Sequence, residues 1–192
     1  MQQFESVANE YVSPQSTAKW AKWHRASYAV GALARFNLNA EHLRPIAAKT
    51  AKSLGLKKKT INPYFNTVAQ IVECVHIVEH ALELVDEVLT AGVQPETPRV
   101  KPQAGEGVGA VEAPRGILFH RYIFDKQGVC RKANLSIPTN QNHANIQHDF
   151  EAFVPQIISR DPQEVRLLLE MLVRAYDPCI SCSTHFLDVK FV

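Results

Sequence analysis

The stretch Asn62 to Gly92, NPYFNTVAQIVECVHIVEHALELVDEVLTAG, decides how the chain folds. Phe65, Val68, Val72, Val75, Val78, Leu82, Val85 and Leu89 recur at helical spacing, so one face of a single long helix is apolar. Asn62 is a candidate N-cap, Pro63 suits a first turn, and Gly92 marks the stop. At 1.5 Å per residue such a helix runs about 40 Å, the width of a whole domain. A second stripe through Ile71, Cys74, Ile77, Ala81 and Leu84 predicts burial on more than one side, as the spine of a bundle.

Working outward, the segment before this helix reads as helical almost throughout residues 1–92. Tyr28 to Phe36 (YAVGALARF) is apolar with small residues that admit close helix approach, and a further helix is predicted over Ala40 to Leu54 with Pro45 near its start. Five Gly and four Pro between Gly92 and Gly116 predict an irregular connector over 93–116. Residues 117–137 then alternate apolar and polar on either side of Asp125 to Gly128, a hairpin signal. Helical periodicity returns from about Asn142 to Ile158, breaks at Asp161-Pro162, and resumes through Val165, Leu168, Leu169, Leu172 and Val173. The predicted class is mainly α (α+β): one domain over 1–192, a helical bundle around a long central helix with a small antiparallel hairpin, and C-terminal helices over 138–192.

Composition sets bounds on function. The 192 residues are 46% hydrophobic, with 21 Lys+Arg against 19 Asp+Glu and a formal net charge of +2. That profile can bury a real core and excludes disorder, and it leaves no basic field for a nucleic-acid partner. No apolar run of membrane-spanning length and no signal-peptide pattern is found, so a cytoplasmic location is expected. Four cysteines are too few for a disulfide scaffold.

The chemistry concentrates at the C-terminus, where Asp177-Pro178-Cys179-Ile180-Ser181-Cys182-Ser183-Thr184-His185 sets two thiols three residues apart with a histidine three further on. Alone, this spacing reads as half of a zinc site or as a redox pair, and the redox reading fits poorly because the motif follows a helix rather than a strand. Two earlier segments raise its specificity: Glu112-Ala113-Pro114-Arg115-Gly116 followed by His120, and Pro138-Thr139-Asn140-Gln141-Asn142. With GALARFN at Gly31 to Asn37 and the AQIVE helix, these motifs resemble, in order, the C-terminal half of the large subunit of nickel-iron hydrogenases, and the soluble cytoplasmic kinds more than the membrane-bound uptake kinds.

The resemblance implies a Ni-Fe centre with CN and CO ligands on iron, and reversible heterolytic cleavage of H2. Cys179 would be a terminal nickel ligand and Cys182 a bridge between nickel and iron, since soft thiolates suit both metals. Arg115 would donate to one cyanide and Thr139 to the other, with Pro114 packed beside them. His185 would hold magnesium or a similar hard ion. Cys179 or Arg115 would take the proton. Electrons would leave through iron-sulfur clusters of a small subunit and further electron-transfer subunits, because this chain lacks the cysteines to hold clusters.

The family's nickel has four cysteine ligands, and the N-terminal pair and the proton-relaying glutamate have no counterpart here. Cys74 and Cys130 stand alone and are expected to be buried structural cysteines. A partner chain carrying the missing pair is therefore expected, the present chain being a split large subunit or a fragment. FLDVKFV after His185 is the kind of tail that an endopeptidase removes in many family members, which fits either a lineage without cleavage or a precursor. The alternative is a non-catalytic zinc-binding or assembly module. Outside these motifs, His120 reads equally as a satisfied strand histidine, His76 and His80 as partly buried surface residues, Lys57 to Lys59 as a solvated loop, and Trp20, Trp23 and Tyr28 as core or subunit-interface residues.

Overall fold

A computed structural model describes residues 9–12, 19–22, 26–93, 95–97 and 101–180. Two short strands, β1 (Asn9–Val12) and β2 (Lys19–Lys22), pair antiparallel with Tyr11 opposite Trp20. The expectation of helix almost throughout 1–92 is corrected here: a hairpin precedes the helices, and β2 lies along a C-terminal helix. Helix α1 (Ala32–Asn39) passes through a 3-10 turn (Ala40–His42) to α2 (Pro45–Ser53), so the single helix predicted over Ala40 to Leu54 is broken ahead of Pro45. Helix α3 (Phe65–Ala91) is the predicted spine, 27 residues long and ended by Gly92 in a left-handed conformation at φ 76°.

Helix α3 supplies caps that its neighbours lack. Neither α1 nor α2 has a capping side chain of its own. Asn66 Oδ1 accepts from Leu33 N at 3.1 Å in the first turn of α1, and the Glu79 carboxylate accepts from Ile46 N and Ala47 N at 3.1 and 2.9 Å in the first turn of α2. Free amides at a helix start favour an acceptor, and a carboxylate adds the dipole term. Around these caps Ala32, Phe36, Ala47, Ala51, Leu56, Ala69 and Val72 form the first core.

Burial of α3 on several sides is corrected. Only Ala69 and Val72 are buried, both in its N-terminal half, while Ile77, Val78, Leu82, Val85 and Leu89 are 54–76% exposed. The periodicity identifies the apolar face but not what covers it.

The Gly/Pro-rich segment expected to be irregular contains a strand, β3 (Gly105–Ala113), which makes the predicted hairpin a three-stranded antiparallel sheet in the order β3, β4 (Gly116–Phe124), β5 (Cys130–Ser136). Ala113 pairs with Gly116, so Pro114 and Arg115 are the two residues of a tight turn. The predicted turn at Asp125 to Gly128 is present: Asp125 Oδ1 accepts from Gln127 N and Val129 N at 2.9 and 3.0 Å, and Gly128 takes φ 77°.

Helix α4 (Pro138–Ile157) starts four residues before the predicted Asn142, because Pro138 fixes the first turn and the polar residues after it are helical. Helix α5 (Pro162–Ala175) follows the predicted break: Asp161 caps it by accepting from Gln163 N at 2.9 Å, and Val165, Leu169 and Leu172 are its buried stripe. Ile157, Val165 and Leu169 form the second core, with Phe150, Phe153, Val154 and Leu168 packed against it. The α+β class holds, with a larger sheet than expected. Among the described residues no helix is long and apolar enough to cross a membrane.

Candidate functional site

The first turn of α4 is polar and yet buried, the reverse of an ordinary helix start. Thr139 and Asn142 are 2% and 3% exposed, and Gln141 is fully buried. Burying amides and hydroxyls is costly unless they are hydrogen-bonded. The bonds go to distant chain: Asn142 Oδ1 accepts from Val30 N at 2.8 Å while its Nδ2 donates to Val30 O at 3.2 Å. Gln141 Nε2 donates to Ile117 O at 2.7 Å and Ser136 O at 3.1 Å, so one side chain ties α4 to β4 and to the end of β5. Thr139 Oγ1 accepts from Cys179 N at 3.0 Å.

The segment after α5 is set by a left-handed residue. Asp177, at φ 47°, turns the chain out of the helix, and Pro178 prevents the helix from resuming. A non-glycine in this region is held by its partners. Asp177 Oδ2 accepts from Gln70 Nε2 at 2.8 Å, its carbonyl accepts from Arg115 Nε at 2.9 Å, and its Oδ1 lies 3.3 Å from the same nitrogen. Just above, Asn66 Nδ2 donates to Ala175 O at 3.1 Å.

Arg115 stands at the tip of the β3–β4 turn. Gly116, at φ 136°, sits where a Cβ would lie 2.5 Å from Val30 Cγ2, and the Cβ of a residue replacing Gly31 would lie 3.1 Å from the Arg115 carbonyl oxygen. The glycines let the turn rest directly on the chain entering α1. Arg115 uses Nε toward Asp177; among the described residues its Nη1 and Nη2 make no hydrogen bond, and the Thr139 hydroxyl has an acceptor role only. Among the described residues, donors of both side chains thus have no acceptor.

Of the sequence-predicted residues, Arg115, Thr139 and Cys179 are brought together through Asp177 and the Cys179 amide. Cys179 is half-buried and its sulfur is disulfide-bonded, so it must be reduced to the thiolate before it can ligate a metal. Pro114 lies in the same turn, its carbonyl accepting from Arg35 Nη2 at 2.9 Å. Cys182 and His185 lie outside the described residues, as does Trp23. Cys74 and Cys130, expected to be buried, are both exposed and free: Cys74 faces a cavity of about 840 Å³ beside α3, and Cys130 opens the exposed strand β5. His120 is satisfied on its strand, with Nδ1 2.9 Å from the Tyr122 hydroxyl and the rings stacked. His76 accepts from Arg44 N at 3.2 Å and His80 Nδ1 lies 2.7 Å from Arg44 Nη2, which fits their reading as surface residues.

Sequence reading missed Asn66, Gln70 and Glu73. Spaced four and three residues apart, they form a polar stripe on the buried end of α3, holding Ala175 O, Asp177 and Arg35. Their i, i+4, i+7 spacing along one face of the helix was the available signal.

The fold and the cluster define a class: an α+β scaffold in which a hairpin tip, a buried polar helix start and a thiol-bearing segment converge. Comparison with known proteins makes the class specific. The model of the nickel-dependent hydrogenase family matches residues 5–185, and the chain belongs to that family. It is 33% identical to sulfhydrogenase 1 subunit alpha of Pyrococcus furiosus over 184 residues, 96% of this chain and 43% of that relative. It is also 33% identical to NAD-reducing hydrogenase HoxS subunit beta of Cupriavidus necator over 170 residues, 85% of this chain and 35% of that one. The crystal structure of an NAD+-reducing [NiFe]-hydrogenase in its H2-reduced state superposes with a TM-score of 0.74 at 26% identity, covering 95% of this chain and 42% of that one. The chain thus spans less than half the length of the relatives it matches.

Proposed function

We propose that this chain is the C-terminal portion of a nickel-iron hydrogenase large subunit and contributes half of the site that cleaves H2 reversibly into protons and electrons. The observation that carries the reading is the convergence of Arg115, Thr139 and Cys179, with the guanidinium Nη atoms and the Thr139 hydroxyl hydrogen left without protein acceptors among the described residues. The donor set fits such a centre in part. It offers a soft sulfur beside two hydrogen-bond donors suited to anionic diatomic ligands, and among the described residues no group of three or more His, Cys, Asp or Glu comes together to hold a metal ion.

Cys179 would be a terminal nickel ligand and Cys182 the bridging one. Arg115 would donate to one iron-bound cyanide and Thr139 to the other, Pro114 would pack against these ligands, and His185 would hold magnesium or a similar ion. When bound, the nickel-iron centre, with carbonyl as the further iron ligand, supplies Lewis acidity toward H2. The proton would be taken at Cys179 Sγ, and Asp177 keeps the Arg115 guanidinium in place as a donor. The other two thiolates come from a chain carrying the N-terminal cysteine pair, which would cover the exposed apolar flank of α3 at Ile77, Val78, Leu82 and Val85. An iron-sulfur small subunit and further electron-transfer subunits would accept the electrons, in a cytoplasmic complex, with residues 1–192 as one domain.

Elemental analysis and infrared spectroscopy of the complex purified anaerobically from its host test this. Nickel and iron with cyanide and carbonyl stretching bands are expected. Zinc, or no metal and no such bands, overturns the reading in favour of a zinc-binding or assembly module.

A further inference from the structure

The catalytic reading leaves Arg35 without a role, yet every N–H of its guanidinium is engaged. Its Nε and Nη2 grip both oxygens of Glu73 at 2.7 Å each, and Nη1 reaches Glu112 Oε2 at 2.7 Å. Its two remaining bonds go to backbone: Nη1 donates to Ala113 O and Nη2 to Pro114 O, both at 2.9 Å. All five guanidinium N–H groups are therefore spent. Burial would lower the Arg35 pKa, and the hydrogen bonds and charges of Glu73 and then Glu112 outweigh that effect and hold the cation firmly charged.

The two carbonyls belong to the residues immediately before Arg115. The strand leading to them is exposed along nearly all of its length, so beyond the close approach of Gly116 to Val30 little packing holds the hairpin tip. The fork of Arg35 adds to that contact, and Glu73 anchors it one turn along α3 from Gln70, which holds Asp177. One helix thus locates both members of the Arg115–Asp177 pair, Arg115 through the Glu73–Arg35 clamp and Asp177 through Gln70.

We propose that Arg35 is a positioning residue for Arg115: its planar fork, braced by Glu73, sets where the Arg115 guanidinium stands relative to Asp177 and Cys179. The functional part of this inference rests on the hydrogenase reading, whereas the positional part does not. Lysine at 35 keeps the charge and cannot reproduce a bidentate grip together with two carbonyl bonds. Arg35→Lys, in the enzyme purified with its partner subunits, is therefore expected to lower kcat at least tenfold, with KM for H2 within twofold and nickel and iron content unchanged. Amide hydrogen exchange in a peptide covering 113–118 is expected to quicken at least tenfold while α5 stays protected. Glu73→Gln, a milder change that leaves Arg35 in place, should move both readouts in the same direction by about threefold.

Unchanged exchange at 113–118 in Arg35→Lys overturns the clamp. Quickened exchange with wild-type kcat overturns its part in the reaction. Should Arg35→Lys fail to accumulate folded, Glu73→Gln decides by the same two readouts. Absence of nickel and cyanide bands from the wild-type complex would sink the hydrogenase reading alone, since the exchange measurement needs no metal.

Discussion

Replacing Gly116 by alanine should destabilise the chain out of proportion to one methyl group. Two costs add. At φ 136° a side chain is strained, by about 1–3 kcal/mol. The new Cβ also falls 2.5 Å from Val30 Cγ2, 2.8 Å from Val30 Cβ and 3.1 Å from Gly31 N, contacts that force a shift of the turn or of the chain entering α1. Overpacking of that kind costs about 1–3 kcal/mol. The loss of unfolded-state freedom returns about 0.4–1 kcal/mol, which leaves a net loss of roughly 1–6 kcal/mol. Urea denaturation of the full chain followed by far-UV circular dichroism measures it, provided the slope with denaturant is unchanged. Gly109→Ala is the control, because nothing lies within 4 Å of its Cβ, and a change within about 1 kcal/mol of wild type is expected. Adding Val30→Ala to Gly116→Ala removes the shortest contact and leaves the φ strain, so the pair should couple favourably by about 0.5–3 kcal/mol. A loss below about 0.5 kcal/mol, the ordinary scatter of surface substitutions, would refute the close approach.

Two further perturbations probe the joints around this turn. Asn142→Ala removes both bonds to Val30, 112 residues away, and strands a half-buried amide and carbonyl, so a loss of about 2–4 kcal/mol and faster amide exchange at Val30 are expected. Tyr176 donates to Asp149 Oδ2 at 2.5 Å, and burial, followed by that bond, raises its pKa above the ordinary value near 10. A folded-state pKa raised in this way contributes stability in full below about pH 10 and loses it as pH climbs further toward the folded-state value. Wild type should weaken between pH 9 and 11 in urea titrations, and Tyr176→Phe should show a shallower fall; identical pH slopes would show that Tyr176 carries none of the alkaline dependence.

What the sequence disclosed and what it hid divide along physical lines. Periodicity and punctuation made α3, the break at Asp161-Pro162 and the turn at Asp125 legible, because each depends on residues close in the chain. The β3 strand was hidden by its own composition: Gly105, Gly107 and Gly109 read as breakers, yet pairing along β4 holds them extended. The start of α4 was missed for the opposite reason. Thr139 and the polar residues after it read as a turn or helix N-cap until their partners at Cys179, Ile117, Ser136 and Val30 are known, and all except Ser136 are distant in sequence. For the site itself the motifs pointed to Arg115, Thr139 and Cys179, but not to the residues that bring them into register.

Those residues explain how the candidate site is shaped by bonds within this chain. A cluster drawn from segments distant in sequence needs those segments in register, and side chains left to a ligand alone would have no defined geometry until it bound. In this chain Asn66, Gln70 and Glu73 stand on one stripe of one helix and reach the end of α5, Asp177 and Arg35 respectively. From there bonds within the chain reach the Pro114 carbonyl and Arg115, while Thr139 holds the Cys179 amide from α4. The register of Arg115 against Asp177 is therefore a property of α3, and a substitution in its polar stripe should disturb that pair more than a substitution of equal size in its apolar flank.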